Sequence, residues 1–147
     1  MRVLIDTNIF VYASYTSFSE HTAARDFLRK CATSSDSYAI TWGIIYEYLR
    51  VVTHTSLFPH GTLSFDKAAG NVDQFRQLTT VEILQESSQH WEVLRSVVRD
   101  AGRARGNLLH DCHIVALMRE HDVRRVYTAD TDFRVFQGIE IVNPLKD

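Results

Sequence analysis

Apolar residues recur along this chain in two rhythms. Short runs rich in β-branched and aromatic side chains predict buried strands at Arg2–Ile5, Tyr38–Thr41, Thr80–Leu84, Arg125–Thr128 and Ile139–Val142. Between them the spacing is helical. Over residues 20–33, Ala23, Ala24, Phe27, Leu28 and Cys31 form one apolar stripe. Residues 65–78 and 88–101 are amphipathic in the same way, whereas 43–53 and 108–121 are apolar almost all round and predict buried helices. Gly61, Gly102, Gly106 and Gly138 fall at the joints. Strands alternating with helices predict an α/β sandwich on a mainly parallel sheet of about five strands.

Composition narrows this frame little. The 147 residues carry no repeat, low-complexity tract or Pro/Gly-rich linker, which predicts one domain over 1–147. No apolar stretch approaches the roughly 20 residues of a membrane span. The N-terminal Met1-Arg2-Val3-Leu4-Ile5-Asp6 reaches a carboxylate too soon for a secretory signal. Cys31 and Cys112 have neither zinc spacing nor a disulfide framework, so the expected location is cytoplasmic. The net charge of −2 gives no overall positive field for nucleic acid. The basic residues are nearly all Arg, with Lys only at 30, 67 and 146, and Arg suits both phosphate contact and ion pairs.

The chemistry lies in four acids. In a parallel sheet, ligands collect beyond the carboxyl ends of the strands. Asp6 follows the first strand and Asp130 the fourth. Glu47 falls in the early turns of the helix after Thr41, and Asp111 opens a helix that must begin at the same edge. Two carboxylates about 4 Å apart repel by about 4 kcal/mol at an effective dielectric near 20. A gathered set needs either raised pKa values or a hard cation such as Mg²⁺ or Mn²⁺. A cation so held suits phosphodiester hydrolysis.

The residues around these acids resemble a known family. Ile5-Asp6-Thr7-Asn8-Ile9-Phe10-Val11-Tyr12, Glu47-Tyr48-Leu49-Arg50-Val51-Val52-Thr53, His110-Asp111-Cys112-His113-Ile114-Val115-Ala116-Leu117 and Thr128-Ala129-Asp130-Thr131-Asp132-Phe133 look like a PIN domain. Within it they look most like the VapC toxins of bacterial toxin–antitoxin pairs. Asp-Thr-Asn alone is a weak signal, but the ordered set spans nearly the whole chain. The resemblance implies a PIN-like three-layer sandwich and a Mg²⁺-dependent endoribonuclease acting on RNA. It also implies a homodimer silenced by a small VapB-like antitoxin. Carried over by position, Asp6, Asp111 and Asp130 would hold the metal, and Glu47 would bind metal or orient the nucleophile. Thr7, Asn8 and Thr128 would hold the pocket by hydrogen bonds, with Asp132 as a further supporting residue of the pocket.

Plainer readings stand beside these. Asp6 is also a natural helix cap, and Asp111 a favourable charge near a helix N-terminus. Glu47 has Arg50 as an ordinary partner three residues on. Asp132 suits a turn before Phe133 better than it suits a metal. His110 and His113 stand three apart on a helix, but no Glu completes a helical zinc pattern and the acids favour harder ions. Arg99 and Arg103, with Arg95 on one stripe and Arg105 in the following loop, fit a solvated face as well as RNA contact. Phe10, Tyr12, Tyr15 and Phe18 are read as core, with a dimer or antitoxin surface as the alternative. An aspartyl phosphatase is disfavoured because position 8 is Asn rather than a second acid. The remaining alternative is a non-catalytic PIN-like module whose acidic pocket holds a basic partner segment.

Overall fold

The structure is a computed structural model that describes residues 1–54, 61–77, 81–102 and 105–146. Its elements run β1 (Arg2–Ile5), α1 (Thr7–Ser14), α2 (His21–Thr33), β2 (Ser37–Thr41), α3 (Trp42–Thr53), α4 (Phe65–Arg76), β3 (Val81–Leu84), α5 (His90–Ala101), α6 (Asn107–Glu120), β4 (Arg125–Tyr127) and β5 (Glu140–Val142). A short 3-10 turn covers Asp132–Val135. The expected strand and helix ends at Thr80 and Leu78, and the RNA-contact candidate Arg103, lie outside the described residues.

The strands pair in the order β3-β2-β1-β4-β5, and every pairing is parallel. The expectation of a mainly parallel sheet thus resolves to an all-parallel one flanked by helices. β1 is central: Leu4 registers with Ala39 of β2 on one side and with Val126 of β4 on the other. Such a strand has both faces covered, and Val3, Leu4 and Ile5 are fully buried. From β1 the chain steps outward to β2 and β3, then returns to place β4 on β1's other flank. The direction of winding therefore reverses between β1 and β4, and this switch point is where such sheets open a crevice.

Two helices frame the crevice. In α6, Cys112 and Ile114 to Met118 are essentially inaccessible, as its all-round apolar sequence predicts. In α3 the same expectation fails. Ile44, Ile45, Tyr48 and Val52 are buried, but Trp42 and Tyr46 are 44% and 70% exposed. Trp42, Tyr46 and Arg50 recur every fourth residue and make an outer stripe. The Arg76 guanidinium lies 5.5 Å from the Trp42 ring centre, so cation–π contact takes part of what core packing does elsewhere.

α5 ends at Gly102 with φ +76°, a left-handed cap that any side chain would strain. Of the early aromatics read as core, Phe10 is buried, whereas Tyr12, Tyr15 and Phe18 are only half-buried. Phe10 is buried against Phe75 with ring centres 4.5 Å apart, and Tyr12 meets Phe18 edge-on at 5.1 Å. Both cysteines are buried free thiols. Among the described residues, no helix is long and apolar enough to cross a membrane.

Candidate active site

A cleft of about 340 Å³ opens at the β1/β4 switch point. Asp6, Glu47, Asp111 and Asp130 all line it, together with Thr7, Asn8 and Asp132. Tyr12, Phe18 and Val51 supply an apolar wall.

Asp6 is the first residue beyond β1, and its extended backbone starts α1. Its Oδ1 accepts from the Thr7 N–H at 2.7 Å and its Oδ2 from the Thr128 hydroxyl at 2.8 Å. Capping and site roles therefore coincide in one side chain. Thr128 follows β4 directly. Its oxygen, besides donating to Asp6, accepts from Asn8 Nδ2 and from the Asp130 N–H, both at 3.0 Å. The Asn8 amide closes the link by accepting from the Ala129 N–H at 3.1 Å. Asn8 and Thr128 thus join the ends of two neighbouring strands that lie some 120 residues apart in sequence, whereas Thr7 contributes only its backbone N–H, its buried hydroxyl having no hydrogen-bond partner among the described residues.

The acids differ in how they are compensated. Burial pushes the Asp6 carboxyl up to about 6. The Thr128 and Thr7 hydrogen bonds oppose that rise, and the charges of Asp130 and Glu47 add to it. Asp111, in the second turn of α6, is pushed up to about 7. Burial is the main cause, followed by the negative charges of Asp6, Asp130, Asp132 and Glu47. Among the described residues nothing donates a hydrogen bond to the Asp111 carboxylate. Glu47 is held below the usual carboxylate range by two hydrogen bonds from Arg50, at 3.1 Å from Nε and 2.6 Å from the terminal nitrogen. Burial opposes this pairing, and the charges of Arg50 and His110 support it.

Asp130 and Asp132 come from the loop after β4. The Asp132 N–H donates to Asp130 Oδ1 at 2.9 Å, so Asp130 supplies the side chain that turns this loop. Asp132 itself is exposed and presents an oxygen toward Asp111. Asp111, Asp130 and Asp132 each offer a carboxylate oxygen, and all three lie within 4.8 Å of one another. An all-oxygen set of this kind fits Mg²⁺ or Mn²⁺ better than softer ions. The geometry thus singles out Asp111, Asp130 and Asp132 as the tightest group, with Asp6 behind them on its hydrogen bonds and Glu47 at the rim with Arg50.

His110 was not among the expected site residues, yet it lines the cleft beside Asp111. Its Nε2 is buried and has no hydrogen-bond partner among the described residues, and burial keeps its pKa below the ordinary value. One helical turn from Asn107 at the cleft mouth was the signal available for it. Arg105 is exposed just before Asn107, and Arg99 is exposed on α5.

Comparison with known proteins agrees with this architecture. The PIN domain family matches residues 3–139. Ribonuclease VapC48 of Mycobacterium tuberculosis is 33% identical over 144 residues, covering 98% of both chains. Ribonuclease VapC37 of the same species is 24% identical over 141 residues, covering 96% of each. Among solved structures, Rickettsia felis VapBC2 bound to a DNA fragment from its promoter superposes with a TM-score of 0.66 at 20% identity, over 97% of this chain and 98% of that one. Mycobacterium tuberculosis VapC20, described as a Sarcin-Ricin loop cleaving toxin, gives 0.62 at 18% identity over 94% and 98%. With the fold, the switch-point cleft and these relatives in agreement, the chain belongs to the PIN-domain family, among its VapC members.

Proposed function

We propose that this protein is a Mg²⁺-dependent endoribonuclease, the toxin of a toxin–antitoxin pair, acting in the cytoplasm as a homodimer until a small VapB-like antitoxin silences it. One observation carries the reading: Asp111 is buried among four other carboxylates, and among the described residues no cationic side chain pairs with it. Asp6, Asp111 and Asp130 would hold a divalent ion, which would supply Lewis acidity for a water and the phosphodiester when bound. Asp132 contributes to the same oxygen set. Glu47 orients the nucleophile from the rim, and Arg50 keeps it ionised. Thr7, Asn8 and Thr128 fix Asp6 against the β4 loop. Arg99 and Arg105, with Arg103, are the proposed RNA contacts.

The alternative, a non-catalytic pocket for a basic segment, draws support from the Glu47–Arg50 pair, which demonstrates that the rim accepts a guanidinium. Cleavage of cellular RNA by the purified chain, freed of partners and supplied with Mg²⁺, separates the two. We expect cleavage that chelation abolishes and that Asp6→Asn and Asp111→Asn each reduce by about 100-fold or more. Undiminished cleavage in both variants, each still folded, would overturn the nuclease assignment. An inactive wild type would favour the binding module.

A further inference from the structure

A second group of ligating side chains lies outside the acidic cleft. Glu86 follows β3, His90 opens α5 and His113 lies in the middle of α6. One nitrogen or oxygen from each falls within 4.8 Å of the others. The two imidazole rings stand edge-to-face with centres 5.2 Å apart, and His113 Nε2 is 2.8 Å from Glu86 Oε1. None of the three lines the cleft.

The surroundings of His90 make this more than a chance gathering. Its Nδ1 lies 2.7 Å from Glu120 Oε2, on a carboxylate only 2% exposed. The other Glu120 oxygen accepts from the Ser87 N–H at 2.9 Å and from the Ser87 hydroxyl at 2.6 Å. A carboxylate fixed in this way holds His90 in the tautomer that donates from Nδ1 and leaves the Nε2 lone pair free. Metal-bound histidines carry the same support behind them. Among the described residues no Lys or Arg pairs with Glu86 or Glu120, so two carboxylates and two imidazoles share this corner. A divalent cation balances the charge of the two carboxylates. Glu86 is about half exposed, which leaves the outer side open to water as a further ligand.

We propose that Glu86, His90 and His113, backed by Glu120, form a binding site for a Zn²⁺-class ion that staples α5 to α6. Two nitrogens and one oxygen suit Zn²⁺ and not Mg²⁺, which separates this site from the all-carboxylate cleft. His110, the partner that helical spacing suggests for His113, takes no part. The site is independent of the proposed nuclease activity. It nonetheless anchors the helix that carries Asp111, two residues before His113.

The test uses the full chain stripped with chelator and titrated with Zn²⁺ by calorimetry. Co²⁺ absorption serves as a second probe, and all arms are repeated in excess Mg²⁺. An Asp6→Asn/Asp111→Asn variant removes the cleft as a competitor. In that background we expect a single Zn²⁺ to bind and to raise the melting temperature. Glu86→Gln and Glu120→Gln should each weaken it by about 10- to 100-fold. His90→Gln/His113→Gln should abolish it. Glu86→Gln alters only a half-exposed side chain, so it remains informative if the histidine variant fails to fold. Zn²⁺ binding that is absent from the cleft variant, or equally tight in Glu86→Gln and Glu120→Gln, would overturn the proposal.

Discussion

The Thr128 hydroxyl touches both arms of the cleft through one oxygen, since it donates to Asp6 and accepts from Asn8 and Asp130. Thr128→Val keeps the shape and removes the hydroxyl, leaving buried polar groups without their partner. Urea denaturation should then show a loss of about 1–3 kcal/mol, with Thr128→Ser largely restoring it. A valine variant as stable as the parent would contradict the bridging role. At the rim, Arg50→Met should let the Glu47 pKa rise, because the guanidinium is the main influence holding it down. That rise can be followed by NMR titration, while stability changes by less than about 1 kcal/mol because Arg50 is more than half exposed and Glu47 lies at the rim. The acids were legible in sequence because each stands at a fixed place, just past a strand or early in a helix. Asp132 was not, since two residues of loop do not determine which way a side chain faces. His90, Glu86 and Glu120 escaped notice for another reason. They meet only because α5 and α6 pack together, and the chain separates His90 from Glu120 by 30 residues.

α3 meets α6 at Gly43. A Cβ placed there would lie 3.3 Å from His113 Nδ1 and 3.6 Å from His110 Cε1. Gly43→Val should therefore overpack the contact and destabilise the fold by about 1–3 kcal/mol in thermal or urea melts, despite replacing a helical glycine. A neutral or stabilising result would mean that His113 moves aside freely, which its bond to Glu86 argues against. The elements were largely readable because strands here are short and β-branched, while the amphipathic helices keep a clean stripe. α3 misled because Trp42 and Tyr46 count as apolar in any periodicity, although one lies under a guanidinium and the other faces solvent. α1 was not bounded by its sequence pattern, because its eight residues are too few for a decisive period.

For the molecule as a whole, the buried acids set the response to pH. Asp6 and Asp111 have folded pKa values of about 6 and about 7, above the ordinary 3.8. The folded state therefore binds more protons than the unfolded one. The metal-free protein should be most stable below about pH 4 as far as these groups are concerned, and lose that stability as pH rises through 6 to 7. Asp6 alone accounts for about 3 kcal/mol of this. Thermal melts of chelated protein should accordingly give a lower melting temperature at pH 8 than at pH 5, and Mg²⁺ should restore it at pH 8. A melting temperature that rises from pH 5 to 8 without metal would contradict this account. The parallel sheet and its ligand edge were legible from the strand–helix alternation, but the neighbour order was not, because short apolar strands are interchangeable until packing selects among them. That order also has a consequence for synthesis. β1 is made before the other four strands, yet one of its two flanks is β4, made more than 120 residues later. A nascent chain that stops before Arg125 has an unpaired Val3-Leu4-Ile5 edge and lacks Thr128, Asp130 and Asp132. Interrupted translation thus yields a fragment with an incomplete cleft and an open sheet edge, an exposed target for proteolysis, and only the finished chain closes both.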